Sequence, residues 1–60
     1  MTPINNLPSD YLEYPFIVAR WCDGAWWYYG VYSTIERAVA AAVRVDGLFW
    51  PTEYVIPGEW

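Results

Sequence analysis

The sequence predicts an α+β fold with elements in the order β-β-α-β, and three observations predict it. Two runs rich in β-branched and aromatic residues, 15–22 and 25–32, are separated only by Asp23-Gly24. A run with apolar residues at helical spacing follows from Ile35. A third short run of strand formers, Thr52–Ile56, lies near the end and is closed by Pro57-Gly58.

Residues 1–14 come first. They hold Pro3, Pro8, two Asn and Ser9-Asp10, with no clear period. This composition predicts an extended or partly disordered arm. Tyr11, Leu12 and Tyr14 are the residues that would tie its end to a domain spanning 15–57, which leaves 58–60 as a tail.

The hairpin is the firmest element. Asp-Gly between two apolar runs is a strong signal for a type I′ turn, because both central positions need positive φ. A two-residue loop fixes the register. Cys22 then faces Ala25, Trp21 faces Trp26, Arg20 faces Trp27 and Ala19 faces Tyr28. Continued without a break, Val18 faces Tyr29, Ile17 faces Gly30 and Phe16 faces Val31.

The helix is expected from Ile35 to about Asp46. Either Ser33 or Thr34 supplies the cap, and Ser33 would form a capping box with Glu36. Ile35, Ala38, Val39, Ala42 and Val43 fall on one face at helical spacing, with Arg37, Ala41 and Arg44 on the other. Gly47 is placed as the residue that stops the helix. Leu48-Phe-Trp-Pro51 reads as an apolar connector to strand three. Antiparallel pairs are commoner than parallel ones, so strand three is placed beside strand one, in order 2-1-3. A parallel place beside strand two is the alternative.

Composition limits the chemistry. Sixty residues make one domain at most. A single core of this size supplies about 3–5 kcal/mol. One cysteine, Cys22, gives no internal disulfide, and without histidine no Cys/His zinc site can form. No metal or other cofactor is expected. The apolar supply is 57% of residues, with five Trp and six Tyr.

Three Arg stand against seven Asp and Glu, giving a net charge of −4. Phosphate binding needs a basic patch, so DNA, RNA and anionic membranes are disfavoured as partners. A protein partner with a basic surface suits the charge. No leader or long apolar run is visible, and the free cysteine suits a reducing cytoplasm. Lacking His and Lys, the chain has no Ser-His dyad, Schiff-base lysine or base for Cys22. The seven carboxylates are scattered. The reading is a non-enzyme.

Alternation divides the hairpin into two faces. One carries Ile17, Ala19, Trp21, Trp26, Tyr28, Gly30 and Tyr32. The other carries Phe16, Val18, Arg20, Cys22, Trp27, Tyr29 and Val31. A guanidinium buried without a partner is costly, so the face with Arg20 is expected to be open. Small residues on the first face would admit an alanine-rich helix. The open face then offers Phe16, Val18, Arg20, Trp27 and Tyr29 as a protein-binding surface, since exposed apolar patches and Trp, Tyr and Arg mark interfaces. Two other readings remain. The arm or residues 48–50 would cover this face as a second small core, or it would join two copies in a homodimer. Carbohydrate or small-ligand binding is a further alternative.

The segment Tyr32-Ser-Thr-Ile-Glu-Arg-Ala38, after an aromatic hairpin and before a third strand, resembles a layout of tiny phage and bacterial proteins. In size, acidity and β-β-α-β order, residues 15–57 are similar to the small RNA-polymerase inhibitors of T7-like phages. That family relies on arginine and acidic residues around its sheet, and Arg20 is the residue here that would play such a part. The resemblance implies a host-takeover or anti-defence inhibitor that works by occupying a surface.

Overall fold

The computed structural model describes residues 1–58; the tail residues Glu59 and Trp60 lie outside them. The elements are β1 (Thr2–Ile4), a 3-10 turn (Tyr11–Glu13), β2 (Phe16–Cys22), β3 (Ala25–Tyr32), α1 (Ile35–Val45), β4 (Leu48–Pro51), a second 3-10 turn (Thr52–Tyr54) and β5 (Val55–Pro57). The fold is α+β, with one helix, a three-stranded antiparallel sheet ordered β3-β2-β4, and a parallel pair β1-β5.

The hairpin forms at the expected turn. Asp23 and Gly24 have φ of 52° and 78°, the left-handed values that this turn requires. The register agrees as far as Ala19–Tyr28 and then shifts. Val18 pairs with Gly30, Ile17 with Val31 and Phe16 with Tyr32. Tyr29 is thus the extra residue of a β-bulge, which an unbroken period-two count does not register. The bulge moves Gly30 and Tyr32 onto the side of Val18, and Val31 onto the side of Ile17.

The third strand of this sheet is not Thr52–Ile56. It is β4, the stretch expected to be a connector, which pairs Leu48 with Ala19 and Pro51 with Phe16. Pro51 suits the end of an edge strand because it has no N–H to donate. The Thr52 hydroxyl then donates to the Tyr14 carbonyl at 2.6 Å, and its amide donates to Pro15 at 3.0 Å. These bonds turn the chain through the second 3-10 turn. Val55 to Pro57 consequently pair with the N-terminal strand, not with β2: Thr2 meets Val55 and Ile4 meets Pro57.

The helix is capped by Thr34, whose hydroxyl accepts from the Arg37 amide at 3.3 Å. It ends in a Schellman motif. The Gly47 amide donates to Ala42 at 2.8 Å and the Asp46 amide to Val43 at 3.3 Å. The left-handed residue is Asp46, φ 56°, and not Gly47. Gly47 is needed for another reason: a Cβ there would collide with the Ala19 carbonyl oxygen.

The sheet is covered on both faces. On one side Val18, Ala38, Ala41 and Ala42 form a core with Phe16, Tyr32, Val45 and Phe49 packed against it. On the other, Ile4, Ile17, Ala19 and Val55 form a core joined by Leu7, Tyr11, Trp26, Tyr28, Val31 and Trp50. The helix therefore lies on the face expected to be open, and the β1-β5 pair covers the face expected to hold the helix. Ala41, expected to point outward, is buried, while Val43 is 76% exposed. The core draws on residues before Pro15, because Ile4 from the arm is fully enclosed.

Candidate functional site

Arg20 was the reason to leave its face open, and Arg20 does stand in solvent. The resolution lies in length. β2 has seven residues at roughly 3.3 Å each, about 23 Å. The eleven-residue helix is about 16 Å long, and its contacts fall on Phe16 and Val18 at the start of β2. One face of a strand can thus be buried at one end and wet at the other.

This divides the expected binding residues. Phe16 and Val18 belong to the core beneath the helix, and Val18 is fully enclosed. Val18 cannot contact a partner, and Phe16 packs edge-on against Phe49, with ring centroids 6.3 Å apart. Arg20, Trp27 and Tyr29 come together at the helix-free end. With Cys22, Asp23 and Tyr28 they line a shallow cleft of about 250 Å³. The Trp27 indole Nε1–H donates to the Cys22 carbonyl at 2.9 Å, which holds the ring across the hairpin. Tyr29 is 40% exposed at the bulge.

A residue missed by the sequence reading lies on the opposite side of the same hairpin end. Alternation along β2 places Trp21 on the face expected to be buried, yet it is 59% exposed. Its ring packs edge-on against Trp26 at 5.1 Å, and Trp26 packs likewise against Trp50 at 5.0 Å. The signal available in the sequence was its distance from the turn. Residues next to a two-residue turn project beyond any layer seated on the strand starts.

The electrostatic setting is acidic. Asp10, Glu13, Asp23, Glu36, Asp46 and Glu53 are all exposed. Burial pushes the Tyr28 phenol above its ordinary pKa, and the Asp10 carboxylate adds to the shift. Among the described residues no three His, Cys, Asp or Glu side chains gather to hold a metal ion. No described helix is long and apolar enough to cross a membrane. Comparison with family models, with curated proteins and with solved structures finds no match to this chain.

Proposed function

We propose that the chain is a protein-binding module or inhibitor that acts by occupying its partner's surface through the helix-free end of the hairpin. The observation that carries this reading is the convergence of Arg20, Trp27 and Tyr29 around one solvent-facing cleft. These are the residue types that supply most binding energy at interfaces, on a strand pair whose turn and register are fixed. The surrounding carboxylates favour a partner with a basic surface and would speed its approach.

The test is capture of a partner by the immobilised full chain, repeated as salt is raised. Arg20→Ala and Tyr29→Ala are expected to lose the captured protein while unfolding at the unchanged temperature. Retention that neither variant weakens would remove this surface from consideration. Retention indifferent to salt would remove the electrostatic part alone.

A second reading, self-association, has its own observation. Ile35, Val39 and Val43 form an exposed apolar stripe along α1, and Leu48 continues it. Light scattering at micromolar concentration distinguishes the two. A dimer that Val43→Glu dissolves would favour this stripe over the hairpin end.

A further inference from the structure

Just past β1, the chain is hydrogen-bonded to β3 at a single backbone rung. The Asn5 amide donates to the Trp26 carbonyl at 2.9 Å, and Tyr28 donates back to Asn5 at 3.0 Å. The contact is an isolated parallel bridge between Asn5 and Trp27. Toward the N-terminus the next β1 residue facing β3 is Pro3, which has no N–H, so the ladder ends there. The two strands separate beyond it and leave a cleft of about 690 Å³. That volume lies within the range of small-molecule sites, roughly 300–1,000 Å³.

The lining joins two aromatic rings to one unusual amide. Trp21 and Trp26 stand on one side, and Thr2, Pro3 and Ile56 on the other. Asn5 lies between them and is only 3% exposed. Its side-chain amide makes no hydrogen bond within the described residues. Every fully enclosed side-chain nitrogen or oxygen among them has a partner, so the Asn5 amide must reach solvent, and the cleft it lines provides the opening. Alternation along β1 turns the Pro3 carbonyl toward the same gap.

We infer that this cleft is a binding site for a neutral saccharide. Among the described residues no charged side chain lines it, and the Met1 α-amino group is the one charge on a lining residue, which leaves a strongly charged ligand without matching side chains. A purely apolar ligand would leave the Asn5 amide desolvated and unpaired. An added peptide strand needs alternating backbone donors along the edge, and Pro3 removes one. A sugar ring meets the remaining requirements. Its C–H face lies on an indole ring, and its hydroxyls both donate to and accept from an amide. The site is separate from the Arg20–Trp27–Tyr29 surface and stands or falls independently of it.

The experiment is titration of the isotope-labelled full chain with cellotetraose, chitotetraose and mannotetraose, each up to tens of millimolar. The Trp21 indole and Asn5 side-chain amide resonances are followed. At least one sugar is expected to shift both signals saturably. Trp21→Ala, at an exposed position, is expected to weaken that binding at least tenfold, as is Asn5→Ala if it folds. Arg44→Gln, on the far side of the helix, should leave it unchanged. The inference is overturned if no sugar gives saturable shifts, if Trp21→Ala binds as well as the parent, or if only a proline-rich peptide produces the shifts.

Discussion

Val18 and Arg20 sit two positions apart on the same side of β2, one sealed beneath the helix and the other in water. Their substitutions should separate accordingly. Val18→Ala removes methyls that the packed helix cannot replace and is expected to cost about 2 kcal/mol in urea unfolding. Arg20→Ala should change stability by less than about 0.5 kcal/mol. Gly47→Ala forces a Cβ onto the Ala19 carbonyl, and overpacking of this kind costs about 1–3 kcal/mol. The Tyr28 phenol titrates higher in the folded chain than in the unfolded one, because burial disfavours its anion. The unfolded chain therefore releases that proton first. Its contribution is intact below the ordinary tyrosine pKa and is lost as pH rises through the raised one. Thermal melts across alkaline pH should show a fall in stability that Tyr28→Phe reduces.

At the scale of elements, the helix gives the sharpest test of which face is seated. Ala41→Glu places a charge in the core and should unfold the chain at room temperature, while Val43→Glu, two residues later and exposed, should melt near the parent. The opposite ranking would restore the face that simple apolar counting selects. That counting groups Ile35, Val39 and Val43 with Ala38 and Ala42. The sheet takes Ala38 and Ala42 as expected but adds Ala41 in place of the larger residues, which lets the helix approach closely over Val18. What was legible in the sequence is what local chemistry decides: the Asp23-Gly24 turn, the hydroxyl cap, the helix and the pairing next to the turn. The bulge at Tyr29 was not, since one extra residue alters no local preference. Neither was the division of labour between 48–51 and 52–56. Both stretches suit a strand, and the choice rests on bonds from Thr52 to Tyr14 and Pro15, far away in sequence. Of the five residues expected at the binding surface, Arg20, Trp27 and Tyr29 converge because they flank the turn. Phe16 and Val18 depart because the helix reaches only that far.

At the scale of the whole molecule, two small cores share one sheet, and neither is large. With about 3–5 kcal/mol expected in total, the loss of either should be felt everywhere. Ile4→Ala, in the arm, is expected to cost about 2–5 kcal/mol and to abolish a cooperative thermal transition followed by circular dichroism. A variant that still melted cooperatively at the parent temperature would make the arm an appendage and not a structural layer.

The parallel pairing of Thr2 with Val55 also sets an order of events during synthesis. β1 has to wait for the synthesis of β5, on the far side of the hairpin and helix in sequence, before its neighbour exists. Until then Ile4, Ile17 and Ala19 lack their lid. The hairpin and helix can associate early through short loops, but the second core can close only once Val55 to Pro57 are available, so a chain that stops short of Val55 should remain open to proteases at its N-terminal end.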